Sequence, residues 1–278
     1  MSSSTTRAYA PAHITGFFAP HIEDDPERCG SVGCGITLSA CGWCEVKDGQ
    51  AITYHEKGVR CEVVERTLSK LSLDGVGVAL SSDVPVGCGF GMSGAFALAA
   101  GIAASHHIGK PRSIWEIAGA AHLSEVECRT GLGDVVAQCT GGLVLRLRGG
   151  IPPVGEVDRI PTPPTVISYV VRGKMDTPSV LSGMELSPIE GAGRDALRQM
   201  LKKPTLEQFF VLSRKFTRES GLASSWVLDV IEAVEAGGSL CSMAMLGECV
   251  FALGAPEALG EFGCPQVCEL GTQGAGLG

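Results

Sequence analysis

The chain has 278 residues, with 22 Lys+Arg against 30 Asp+Glu and a formal net charge of -8. Its 45% hydrophobic and 19% charged residues exclude a disordered chain, and the acidic balance excludes a general nucleic-acid binder, which needs clustered cations. The 38 glycines are about twice the usual share while aromatic residues are only 5%, a composition that brings backbone close to backbone or to a ligand.

In chain order, Met1–Arg7 shows no charged segment leading into an apolar run, which predicts a reduced, cytoplasmic protein. Residues 8–18 are apolar, interrupted by Pro11 and Gly16, and read as a strand. A polar loop follows from Glu23 to Gly30. Gly33–Val46 alternates as a strand, and Asp48-Gly49 predicts a hairpin turn into a return strand around Ile52–His55. Cys61–Leu71 has helical spacing, and Val76–Leu80 is a short apolar strand.

Val84–Gly109 carries no Lys, Arg, Asp or Glu and could span a bilayer by length. Its first half is turn chemistry, though, so only Ala95–Ala104 reads as a buried helix, and no membrane association is expected. Ser113-Ile-Trp-Glu116 is a capping box that starts a helix running to about Arg129. Gly131-Leu-Gly133 stops it, Asp134–Gln138 starts another, and Gly141–Arg148 alternates as a strand. Ile151–Pro164 holds five prolines and is the expected boundary between a unit of residues 1–160 and one of residues 161–278. Beyond it, the strands are 165–171, 240–246, 248–253 and 266–270, and the helices are 205–220 and 225–236. The order is α+β in two lobes.

The 12 cysteines include the spacings Cys41-Gly-Trp-Cys44 and Cys264-Pro-Gln-Val-Cys268. Four thiolates could hold zinc or pair by oxidation. Each lies in or beside an apolar run, however, where free cysteine acts as a small buried hydrophobe.

Pro85-Val-Gly-Cys-Gly-Phe-Gly-Met-Ser-Gly-Ala95 lies between a strand and a helix. Its glycines let backbone N–H groups approach an anion, and the following helix points the positive end of its dipole at the same place. Pro85, Gly87, Gly89, Gly91, Met92, Ser93 and Gly94 therefore form a candidate phosphate cradle. Gly89-Phe-Gly-Met-Ser-Gly94 also matches the dinucleotide fingerprint, which requires a βαβ unit and an acid closing its second strand. A nucleotide-binding oxidoreductase is thus the competing class.

The same segment resembles the P-x-x-x-G-L-G-S-S-A-A phosphate loop of the GHMP kinases. Ala10-Pro-Ala-His-Ile-Thr-Gly16 resembles their first motif. Ala121-His-Leu-Ser-Glu125 with Gly131-Leu-Gly-Asp134 resembles their metal and base segment. Gly247-Glu-Cys-Val-Phe-Ala-Leu253 resembles the end of the third motif, with Met243-Ala-Met-Leu246 replacing its glycine-rich part. The resemblance implies an N-terminal lobe carrying the glycine loop, a ferredoxin-like C-terminal lobe, and phosphoryl transfer from ATP with Mg²⁺. It makes Ser93 and Glu125 the Mg²⁺ ligands and Asp134 the acceptor of the substrate proton. An Asp after Gly133 would also serve as an ordinary N-cap.

Within that family, P-A-H-I-T-G-F-F, G-S-V-G-C-G and T-G-L-G-D-V-V-A-Q are most similar to archaeal members that phosphorylate pantoate, and other small hydroxy acids or homoserine remain alternatives. A carboxylate-bearing acceptor needs a cation, for which Arg146 is the candidate, with Arg148 of the same strand parity its rival. His122, one helical turn before Glu125, is a candidate for the substrate's polar groups, or else a satisfied core histidine. Ser31 and Thr177 are candidate hydroxyl donors, and His13 of the first motif joins the substrate-binding set. A homodimer is left open.

Overall fold

A computed structural model describes residues 6–47, 49–175 and 187–278. It opens with two long antiparallel strands, β1 (Arg7–His21) and β2 (Gly30–Lys47). Nearly all of β1 is buried, on both faces, because helices cover it from two sides. Its register against β2 slips between Pro11 and His13 and again between Thr15 and Phe17. Pro11 has no N–H to give the ladder. Just past the first slip, the His13 N–H donates to Phe90 O at 3.0 Å, which ties the strand to the glycine loop.

The strand β5 (Gly77–Ser82) takes the other edge of β2, while β3 (Ile52–Tyr54) lies beyond it, parallel to β5, and pairs with β4 (Lys57–Gly58). The expected hairpin return along β2 is therefore wrong. The better-buried β5 claims the place beside β2, and the half-buried β3 is left to the rim. Of the predicted turn, Asp48 lies outside the described residues. On the first half of β2, β6 (Leu143–Arg148) pairs with Gly33–Ile36, and β7 (Glu156–Ile160) pairs with β6. The proline-rich stretch thus contains a strand of the first sheet.

Four helices accompany this sheet: α1 (Glu62–Lys70), α2 (Met92–His107), α3 (Ile114–Cys128) and α4 (Asp134–Thr140). Buried nearly all round, α2 packs on β1, β2, α1, α3 and α4. The Ser113 side chain accepts from the Glu116 N–H, as the capping box predicts. Asp134 is not a cap: Gly133 takes that position and Asp134 is the first residue of α4.

The second sheet is antiparallel and contains β8 (Val166–Gly173), β9 (Cys241–Met243), β10 (Glu248–Leu253) and β11 (Gln266–Glu269), ordered β11-β8-β10-β9. Counted along the chain this order is 4-1-3-2, that of a ferredoxin-like sheet, with a single 3-10 turn at Glu257–Glu261 in place of the second crossover helix. Its helices are α5 (Ser187–Lys202), α6 (Leu206–Glu219) and α7 (Ser225–Ala236). Sequence reading missed α5, whose Gly191 and Gly193 argue against a helix until packing is counted. Both α5 and α6 pack on β1. There Phe17 meets Phe209 with ring centroids 6.3 Å apart, and Phe209 continues to Phe210 and Phe251. The last strand, β12 (Gly276–Leu277), returns to pair with β1 at Ala8 and Tyr9.

A Cβ on Gly193 would lie 2.0 Å from Phe18 O, so α5 sits on β1 at a distance only glycine permits. Gly193→Ala is expected to lower Tm by about 2–12 °C, since overpacking against fixed backbone costs about 1–3 kcal/mol and each kcal/mol is worth about 2–4 °C in a chain of this size. Thermal unfolding followed by circular dichroism checks it, and an unchanged Tm would refute the close approach.

Candidate active site

The loop from Asp83 to Gly91 joins β5 to α2, and Gly91, at φ 61°, serves as the N-cap. A side chain there would be strained, and its Cβ would lie 2.8 Å from Asp134 Cγ. The glycine loop and the start of α4 are thereby in contact. Gln138 of α4 reinforces this by donating from Nε2 to Gly91 O at 2.8 Å. Behind the loop, the turn that replaces the third motif's glycines presents Ala244 O and Met245 O to Gly89, at 3.0 and 3.1 Å from where its Cβ would be. Met92 is buried with Ser82 donating to its sulfur, so only its backbone faces the cradle. Ser93 follows at the positive end of the α2 dipole.

Glu125 is 1% exposed. One oxygen accepts from the Thr130 hydroxyl at 2.6 Å, while the other, Oε2, is buried without a hydrogen-bond partner among the described residues. Burial pushes its carboxyl up to about 7; the Thr130 bond opposes this, the charge of Asp134 adds to it, and Ser93 opposes it. An orphaned carboxylate oxygen beside a serine hydroxyl at a phosphate cradle fits a hard divalent cation such as Mg²⁺. Among the described residues no three His, Cys, Asp or Glu side chains cluster to cage a metal, which suits an ion that keeps its other positions for phosphate and water.

Asp134 is partly exposed, at 22% of its side chain, and its Oδ1 lies 2.6 Å from Nδ1 of the wholly buried His13. The other ring nitrogen, Nε2, lies 3.5 Å from Arg146 Nη1. Guanidinium only donates, so Nε2 carries the lone pair and Nδ1 the proton: His13 is neutral and donates to Asp134. Burial lowers the His13 pKa, Asp134 opposes that shift, and Arg146 adds to it. Burial would raise the Asp134 carboxyl, but the hydrogen bond from His13 and the Arg146 charge outweigh it and hold the carboxyl below the usual range. Arg146 is itself buried, and burial lowers its pKa while Asp134 and Cys34 oppose the shift.

Bare backbone makes room for these side chains. A Cβ on Gly35 would lie 2.2 Å from His13 Nε2, one on Gly131 2.2 Å from Glu125 Oε2, and one on Gly133 2.5 Å from Ser31 Oγ and 2.6 Å from Arg146 Nε. The structure thus brings together His13, Ser31, Ser93, Glu125, Asp134 and Arg146. It separates Arg148, which is exposed and donates to Val154 O at 2.6 Å, because the β6–β7 register slips between the two arginines. His122 is buried with Nε2 2.9 Å from Cys29 O, a bond that fixes the entry to β2 and so the place of Ser31. Thr177 lies outside the described residues.

Sequence reading missed Gln138, which stands in the quoted Gly131–Gln138 string but carries no motif role. It also missed Lys174, whose stem runs beside Gly87 while the Met175 N–H donates to Gly87 O at 3.0 Å. A single lysine after a strand gives no signal. The dinucleotide reading lacks its second strand, since α2 leads into α3. A hollow of about 690 Å³ on the β1–β2 loop, lined by Ile22, Glu23, Asp24, Asp25 and Arg28, holds none of the site residues. Its carboxylates would repel an anion.

Residues 58–142 match the GHMP kinases N terminal domain. The chain is 34% identical over 263 residues to a pantoate kinase of Thermococcus kodakarensis, covering 89% of this chain and 87% of that protein. It is also 34% identical over 257 residues to a pantoate kinase of Methanocaldococcus jannaschii, covering 90% and 93%. Among solved structures, a phosphotransferase related to the CoA biosynthesis pathway superposes with a TM-score of 0.85 at 29% identity, covering 99% of this chain and 98% of that one. Mevalonate-3-kinase from Thermoplasma acidophilum shares the fold, with a TM-score of 0.71 at 11% identity, covering 99% and 98%.

The raised Glu125 carboxyl makes stability depend on pH. Between the ordinary carboxyl value of about 4.3 and the folded value of about 7, the folded protein holds a proton that the unfolded chain has released. This contribution is full below about pH 4.3, falls as pH rises, and is gone above the folded value. In chelator, Glu125→Gln is therefore expected to remove this falling limb and to be the more stable protein at pH 8. Denaturant midpoints at a series of pH values check it; parallel profiles for the two proteins would refute the buried, unpaired carboxylate.

Proposed function

Because the chain belongs to the pantoate kinases of the GHMP kinase family, we propose that it transfers the γ-phosphoryl group of ATP to the 4-hydroxyl of pantoate, in the cytoplasm and on the route to coenzyme A. The observation that carries the reading is the meeting of three groups at Gly91 and Gly131: the glycine loop with its helix terminus, the Glu125 oxygen without a partner among the described residues, and the partly exposed Asp134.

In that reading the loop N–H groups and the α2 dipole hold the phosphates. Asp134, partly exposed, offers its carboxylate to the acceptor. As the acceptor oxygen bonds to the γ-phosphorus and the bond to ADP breaks, the hydroxyl proton passes to Asp134. A carboxylate with a low pKa serves because the transition state is loose and proton loss comes late. Glu125 and Ser93 would hold Mg²⁺, which when bound neutralises charge on the phosphate oxygens. Arg146 and Ser31, which meet at Gly133, bind the acceptor's carboxylate end.

Incubation with ATP, Mg²⁺ and pantoate is expected to yield phosphopantoate, detected by mass, with homoserine and other hydroxy acids giving far less ADP in a parallel panel. Asp134→Asn and Glu125→Gln should each abolish most turnover through kcat. Arg146→Ala should raise KM for pantoate about ten- to a hundredfold, the value of a charge-assisted contact of about 1.5–3 kcal/mol, while KM for ATP changes little. Equal turnover of pantoate and homoserine would overturn the substrate assignment, and near-normal turnover in both carboxylate variants would overturn the site.

A further inference from the structure

Three features lie outside the reaction as described: the Lys174 stem beside Gly87, the buried Gln138 Oε1 without a partner among the described residues, and the His13 ring between Arg146 and Asp134. The last is held by distances at both nitrogens and by a glycine that exists to admit the ring. His13 is wholly buried, with Nδ1 2.6 Å from Asp134 Oδ1 and Nε2 3.5 Å from Arg146 Nη1. Gly35 admits the ring where it lies, since a Cβ there would be 2.2 Å from Nε2. The backbone is tied as well, by the bond from its N–H to Phe90 O of the glycine loop.

We propose that His13 is a positioning residue rather than a substrate-binding one: its Nδ1–H clamps Asp134 by one oxygen so that Oδ2 alone meets the acceptor hydroxyl, and Arg146 fixes the tautomer that makes the clamp. This deepens the assignment of Asp134 as proton acceptor and rests on it. The groups around the ring set one protonation pattern. Arg146 supplies only donors, so Nε2 must accept; Asp134 is ionised, so Nδ1 must donate. A doubly protonated ring would set a second cation against the guanidinium. The opposite tautomer would place a lone pair against the carboxylate and a hydrogen against a donor. Arg146 thereby acts at both ends of the site, orienting the base while it reads the acceptor's carboxylate.

The test uses three variants in the full chain. Asparagine carries its amide nitrogen at the reach of Nδ1, glutamine at the reach of Nε2, and alanine carries neither. His13→Ala is expected to lower kcat on the order of a hundredfold, the effect of letting a reacting group wander by an ångström, with KM for ATP and pantoate each within about threefold. His13→Asn should recover most of kcat and His13→Gln should not. A rise in pantoate KM with kcat kept would overturn the proposal in favour of direct binding, as would equal kcat for Asn and Gln at equal stability. If His13→Ala fails to fold, the Asn–Gln pair still decides.

One measurement is independent of turnover. In ¹⁵N-histidine-labelled wild type without substrates, His13 should show a protonated Nδ1 and an unprotonated Nε2, and Arg146→Ala should let the tautomers mix. The reverse tautomer would sink the clamp even in an active enzyme. The expected tautomer in a protein that phosphorylates no acceptor would leave the clamp standing and remove the reaction.

Discussion

Taking ionisable side chains out of water is tolerable only when each finds a partner or awaits one. This chain buries His13, Glu125 and Arg146 within one cluster, beside the partly exposed Asp134. Three of the four are joined in a single line from guanidinium through imidazole to carboxylate. The fourth, Glu125, is left with an oxygen that no group among the described residues satisfies. Packing them so tightly requires the neighbouring backbone to carry no side chain, and Gly35, Gly91, Gly131 and Gly133 supply that. Four of the 38 glycines thus serve the density of charge at the site.

Much of this was legible in the sequence. The helix at Ile114–Cys128 announced itself by its capping box, and the two helices Leu206–Glu219 and Ser225–Ala236 by Thr205-Leu-Glu-Gln208 and by the closing Gly237-Gly238. The glycine loop lies between a strand and a helix as read, and Ser93, Glu125 and Asp134 stand close together with Arg146 beside them. What stayed hidden was non-local. That Ile52–Tyr54 lies beyond β5 depends on a competition for one edge of β2, which hydropathy in either segment cannot report. Helix α5 contains two glycines because one of them must slide past a carbonyl of β1. A local propensity count reads that as a break.

The arginine pair shows the same limit at finer grain. Alternation puts Arg146 and Arg148 on one face, and in an unbroken strand they would compete for the same ligand. A single slip in pairing with β7 sends one into the core and the other to the loop at Pro153–Val154. His122 and His13 trade roles in a similar way. The histidine nearer the metal segment in sequence anchors a turn, and the one 121 positions before Asp134 touches it. Separation along the chain says little about reach once a sheet has closed.

The pairing of β1 with β12 bears on how the molecule comes into being. The first strand is completed at Ala8 and Tyr9 by residues 276 and 277, and its opposite stretch at Phe17 and Phe18 is covered by helices from the second half. A ribosome delivers β1 long before β12, so the strand that carries His13 waits during synthesis for partners with apolar surface exposed. Contacts of such long sequence separation slow folding and prolong the aggregation-prone interval. The cluster around Asp134 is therefore assembled late, after β12 has locked the edge beside the strand that begins it.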